Sequence, residues 1–107
     1  MTYEEIVAKV KKKFANADVS GVQGKLAYQF NITGEGEGIF YAEVKDGKLS
    51  IEPYEYHDRD AIFICSADTL FKIMDKKLDP VLAFTTRKLK VEGSIEKALK
   101  IKDLIKK

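Results

Sequence analysis

The residues best suited to chemistry sit together in Tyr54-Glu-Tyr-His-Asp-Arg-Asp60, where the only histidine, His57, lies among Glu55, Asp58 and Asp60. Such a set could ligate a metal or move a proton. Metal sites show paired ligands at repeating spacing, however, and one ring nitrogen with scattered carboxylates reads better as a solvated loop. Cys65, the only cysteine, belongs to no recognisable nucleophile motif. Gly34-Glu-Gly-Glu-Gly38 has the glycine density of a phosphate cradle, but Glu35 and Glu37 would repel an anion and no Lys-Ser or Lys-Thr follows. It reads as a hairpin turn. The residues therefore predict no catalytic set, no metal and no cofactor, and the chain is not expected to be an enzyme.

Charge points elsewhere. The net charge is only +2, yet Arg87 to Lys107 carries eight basic and three acidic residues, against seven basic and twelve acidic in Phe14 to Thr86. This basic C-terminal end suits transient contact with anionic membranes, at about 1 kcal/mol per Lys or Arg near the surface. A solvated helix face is the plain alternative. Nucleic acid fits poorly, since no aromatic residue interleaves with the lysines of the last helix. At 107 residues, 45% hydrophobic and 34% charged, the composition predicts one soluble domain over residues 1–107. No apolar run nears the roughly 18 residues of a spanning helix, and no secretory signal pattern opens the chain. A lone cysteine fits a reducing compartment, so a cytoplasmic location is expected. No motif specifies an oligomeric state.

The elements that must position these residues follow from periodicity and caps. Thr2 and Glu5 form a capping box, after which Tyr3, Ile6, Val7, Val10 and Phe14 recur on one helix face. Asn16 to Gly21 breaks that period. Alternation from Val22 to Ile32 predicts a long strand, the turn at Gly34 to Gly38 leads to a second strand over Ile39 to Lys45, and Asp46-Gly47 predicts a type I′ hairpin into a third strand through Ile51. Pro53 stops it. Ala61 to Cys65 reads as a fourth strand covered on both faces. Ser66 caps a helix with Leu70, Phe71, Ile73 and Met74 on its apolar side, and Asp79-Pro80 caps and begins a short one. Lys88 to Glu92 alternates as a fifth strand, and Ser94 caps a last helix bearing Ile95, Ala98, Leu99, Ile101, Leu104 and Ile105. The predicted class is α+β, a five-stranded, mainly antiparallel sheet with helices covering one face, in the order helix, four strands, two helices, strand, helix. Periodicity alone assigns these apolar faces to a packed core.

The run from Leu78 to Gly93, Leu-Asp-Pro-Val-Leu-Ala-Phe-Thr-Thr-Arg-Lys-Leu-Lys-Val-Glu-Gly, adds a specific signal. Its Leu-Asp-Pro start, Ala-Phe pair, Lys-Leu-Lys strand and following Gly resemble the signature of the sterol carrier protein type 2 domain family. The resemblance implies a hydrophobic tunnel between sheet and helices that takes up fatty acids, acyl chains, sterols or other lipids. It thus implies non-enzymatic lipid binding and transfer, with an accessory or oligomerisation module serving a partner enzyme as the alternative. Facing-side periodicity with the family's layout selects Phe30, Phe40, Ala42, Phe63, Leu70, Met74, Leu82, Phe84, Leu99 and Ile101 as lipid-facing. Access would require the helices over the sheet to part, with the Pro80 helix and the terminal helix the cheapest to move. Two residues depart from the family pattern. Arg87 stands where a Gly usually precedes the first Lys; a left-handed Arg would cost about 1 kcal/mol, so a different turn is expected there. Thr85 replaces a frequent Met, which makes that part of a pocket smaller and more polar.

Overall fold

A computed structural model of the chain describes residues 1–15, 17, 19–20, 22, 24–53 and 59–104. Helix α1 (Tyr3–Phe14) begins at the expected capping box: the Glu5 N–H donates to Thr2 Oγ1 at 3.2 Å and the Thr2 N–H to Glu5 Oε1 at 2.8 Å. Strands β1 (Lys25–Thr33), β2 (Gly38–Lys45) and β3 (Lys48–Glu52) form an antiparallel meander. Asp46 and Gly47, at φ 54° and 75°, make the two-residue turn between β2 and β3. β4 (Ala61–Ser66) lies parallel to β1, and β5 (Lys90–Gly93) antiparallel to β4, so the sheet order is β3-β2-β1-β4-β5. The sheet is mixed but mostly antiparallel. Helices α2 (Ala67–Met74), α3 (Pro80–Thr85), α4 (Ile95–Leu99) and α5 (Ile101–Leu104) complete the α+β order.

One sheet face carries the core. Leu26, Tyr28, Phe30 and Ile32 of β1 lie beside Phe40, Ala42 and Val44 of β2 and Ala61, Phe63 and Cys65 of β4, and all are buried with the inner faces of the helices. Glycine at position 38 permits the closest approach. A Cβ there would stand 2.2 Å from the Tyr3 ring, whose hydroxyl donates to the Ile39 carbonyl. At the other end Asp60 ties three strands and a helix. Its carboxylate accepts the Ala27 N–H at 2.9 Å and meets Lys97 Nζ at 3.0 Å, while its backbone bonds Ala27 and Ser94.

Four local expectations change. β1 starts at Lys25 rather than Val22, because Gly24 at φ 74° turns the chain out of the extended region. β4 is buried on one side only: Ala61, Phe63 and Cys65 are buried, and Ile62, Ile64 and Ser66 half-buried. The last helix is not continuous. The Lys100 N–H bonds the Lys97 carbonyl three residues back at 3.1 Å, and this tightened turn keeps Ala98, Ile101 and Leu104, spaced three apart, on the core face.

The fourth concerns Arg87, which does adopt the left-handed conformation, at φ 64°. The Lys88 N–H bonds the Ala83 carbonyl at 2.9 Å and the Arg87 N–H the Phe84 carbonyl at 3.2 Å, the paired bonds of a Schellman motif that close α3. Those carbonyls would otherwise lack partners, and their hydrogen bonds offset the strain. Lys88 and Leu89 are thereby drawn into the cap, so β5 begins at Lys90. α2 ends the same way, with Lys76 at φ 63°.

Arg87→Gly is expected to raise stability by up to about 1 kcal/mol, read as a higher denaturant midpoint at unchanged slope. Gly38→Ala should lower it by more, because the Tyr3 ring must be displaced.

Candidate functional site

The sheet's inner face is floored by stacked rings. Phe30 lies between Phe40 (centroids 5.0 Å apart, planes at 16°) and Phe63 (5.3 Å, 20°), its direct neighbours in register on β2 and β4. Tyr28 meets Phe63 edge-on at 5.0 Å and donates its hydroxyl to the Lys97 carbonyl at 2.5 Å, which secures α4 against β1. Above this floor stand Leu70 and Ile73 of α2, Pro80 of α3, Leu89, and Ile101 of α5. Together with Phe30 and Phe63 they surround a void of about 10 Å³. That is room for one water at most, and its walls are apolar. In this state the interior is closed.

The cover is thin. α3 has six residues, of which only Pro80 and Ala83 are buried. Asp79 holds its start: one carboxylate oxygen accepts the Leu82 N–H at 3.1 Å and the other meets Lys102 Nζ of α5 at 3.0 Å. The hydrogen bond from Lys102, with that from Leu82, keeps the Asp79 carboxyl below the usual carboxylate range. One exposed ion pair thus joins the two elements that close the interior.

Of the ten residues selected as lipid-facing, Phe30, Phe40, Ala42, Phe63, Leu70, Met74 and Ile101 are buried on the inner side, and Phe30, Phe63, Leu70 and Ile101 touch the void. Leu82, Phe84 and Leu99 do not face it. They are 53%, 45% and 43% exposed, because Ala83 takes the inward position on α3 and Ala98 on α4, which turns the residues beside them about 100° away. Three void-lining residues were missed. Ile73 follows Leu70 by one helical turn and Leu89 alternates with Val91, so both carried a signal; Pro80 was read only as a helix start.

A cleft of about 410 Å³ opens at the far end of α1. Its floor is Phe14 and Ile51, both core residues, and Val19 and Leu49 flank it with Lys11 at the rim. His57 and the rest of Tyr54 to Asp58 lie outside the described residues. Among the described residues no three metal-ligating side chains come together, and no helix is long and apolar enough to cross a membrane.

The sequence model of the SCP-2 sterol transfer family matches residues 4–106. Hydroxysteroid dehydrogenase-like protein 2 of Mus musculus is 31% identical over 103 residues, 95% of this chain but 21% of that protein. The chain thus spans about a fifth of the length of that curated relative. Among solved structures, sterol carrier protein 2 of Aedes aegypti in complex with palmitate superposes with a TM-score of 0.63 at 23% identity, covering 98% of this chain and 94% of that one. Apo sterol carrier protein 2 of Yarrowia lipolytica gives 0.62 at 18% identity, covering 97% and 76%. These likenesses carry the fold.

Burial pushes the Cys65 thiol up to about 12, from an ordinary 9.0. The thiol is favoured in the folded state, so its contribution to stability is complete below pH 9 and is lost as pH rises towards 12. At pH 8 a thiol reagent should label the native protein only as fast as it unfolds, and Cys65→Ala should flatten the loss of stability above pH 9.

Proposed function

This chain belongs to the SCP-2 sterol transfer family, and on that premise we propose that it binds a lipid in the apolar interior between sheet and helices, without catalysis. The observation that carries the reading is the closed apolar void over the Phe30 and Phe63 rings, covered by a helix that buries only Pro80 and Ala83. Lifting so small a cover exposes little apolar surface. About ten methylenes taken from water return about 8 kcal/mol, enough to open the cover and still bind. Palmitate in the Aedes aegypti relative supports a fatty acyl ligand; a sterol is the other candidate.

In this mechanism the lipid replaces the helices as the covering of the aromatic floor. As α3 lifts and rolls by about 100°, Leu82 or Phe84 turns from solvent to the acyl chain, and Leu99 follows as α5 parts from Asp79. Met74, a buried core residue with a flexible thioether, adapts to the chain's shape. Transfer between membranes is part of the reading, with the basic C-terminal segment meeting anionic headgroups. Two of its lysines are already committed, Lys97 to Asp60 and Lys102 to Asp79, so freeing Lys102 links membrane contact to opening. A second reading, an accessory module serving an enzyme, draws on the small share of the mouse relative's length that the chain spans.

Native mass spectrometry of the purified chain, with displacement of a fluorescent fatty acid, should detect a bound lipid and micromolar affinity. An interior that takes up neither fatty acid nor sterol would sink the lipid reading and favour the module.

Lys102→Glu, which sets two negative charges against each other at Asp79, should speed fatty-acid uptake several-fold while leaving cooperative unfolding intact. Unchanged uptake would remove α3 and α5 as the gate. Transfer to vesicles is expected to rise with phosphatidylserine content and fall with salt.

A further inference from the structure

β5 lies at the edge of the sheet. Among the described residues it pairs with β4 alone, which leaves its far edge without a strand. Beside that edge runs a groove of about 760 Å³, with Leu89 and Val91 at its floor and Phe84, Arg87, Lys90 and Glu92 along it. Lys90 and Glu92 are exposed, and no ion pair is recorded for either among the described residues. Phe84, on the last turn of α3, is 45% exposed. Open edges with adjoining apolar surface attract another strand, and natural folds usually blunt them.

The geometry points to a second copy of this chain as the occupant, joined edge to edge through β5 in an antiparallel, two-fold symmetric pair. Lys90-Val91-Glu92 is self-complementary under that operation. A two-fold axis at Val91 sets Lys90 opposite the second copy's Glu92 and Glu92 opposite its Lys90, with Val91 facing Val91. Lys90 and Glu92 share the outer sheet face with Ile64 and Ile62, their register neighbours, whereas Val91 pairs with Phe63 on the core side. The charged pairs therefore form on one face and the apolar contact on the other, where each groove receives the other copy's Val91 and Phe84. A membrane could meet the apolar and basic residues of this face, but it supplies no strand for the open edge. A four-residue strand with one groove is small against the roughly 1,200 Å² of a stable interface, so the dimer is weak and reversible.

Sedimentation velocity on the full chain over a concentration series tests it. The wild type should shift from monomer towards dimer as concentration rises. Lys90→Glu and Glu92→Lys should each weaken association by about tenfold or more, since each converts both attractive pairs into repulsive ones. The double variant Lys90→Glu/Glu92→Lys should restore it. The two single variants move net charge in opposite directions, so a general charge effect would not weaken both. Both substitutions are at exposed positions, and unchanged circular dichroism confirms folding. A chain that stays monomeric throughout, or a dimer indifferent to both reversals, overturns the proposal. A monomer that instead sediments with phosphatidylserine vesicles, and loses this on Phe84→Ala, assigns the face to a membrane.

Discussion

The structure depends on the register that places Phe30 between Phe40 and Phe63. Strand pairing sets these three residues directly opposite one another on adjacent strands, so their rings stack at the spacing of the sheet, 5.0 and 5.3 Å. Each contact adds about 1 kcal/mol beyond the area it buries. More important is the shape that results. Three near-parallel rings stacked across the strands make a continuous apolar floor, and a slip of one residue on β1 would turn Phe30 to the opposite face and remove it. α2 and α5 turn large side chains onto that floor; α3 leaves its large ones, Leu82 and Phe84, exposed.

The contrast between floor and cover gives the fold its functional character. The floor is held by strand ladders and stacked rings. The cover is held by Pro80, Ala83, a helix cap and one exposed ion pair from Asp79 to Lys102, and surface ion pairs contribute little. Stability is therefore unevenly distributed, with the weakest elements directly above the most apolar surface. The lipid binding proposed above draws on that distribution, because a closed interior shields its floor from water and an openable one would admit a ligand. The Schellman cap at Arg87 serves the same arrangement: it ends α3 abruptly and drops Leu89 into the interior, beside β5, which pairs with β4 alone among the described residues.

Most of the architecture was legible from local signals. Capping residues Thr2, Ser66, Asp79 and Ser94 each accept the backbone N–H their spacing required, because a cap is decided within four residues. The alternation of β1 and β2 identified the core face correctly; β2 keeps a burial period of two, whereas in β1 Ala27 and Gln29 of the opposite face are buried as well. The site was legible only in part. Periodicity marks a residue as apolar and helical but not how much room lies beneath it. Leu82 and Phe84 are larger than Ala83, so pattern favoured them for the interior; Ala83 is the one that turns inward, and Pro80 is the α3 residue that lines the void over Phe30 and Phe63. Arg87 failed as an expectation for a related reason. Its intrinsic cost is local, but the hydrogen bonds that offset it come from Ala83 and Phe84, where helix and cap meet.

By itself, then, the sequence determined the element order, the helix starts, the buried face of the sheet and, through the run from Leu78 to Gly93, the family. These follow from interactions between residues close along the chain, or from a periodicity that any sheet or helix imposes. The tertiary structure alone decided that β4 joins β1 in parallel, that β5 is left at the edge, that the last helix tightens at Lys100, and that the interior is closed to about 10 Å³. Each of these depends on how far apart distant elements come to rest, and packing of whole surfaces sets that distance.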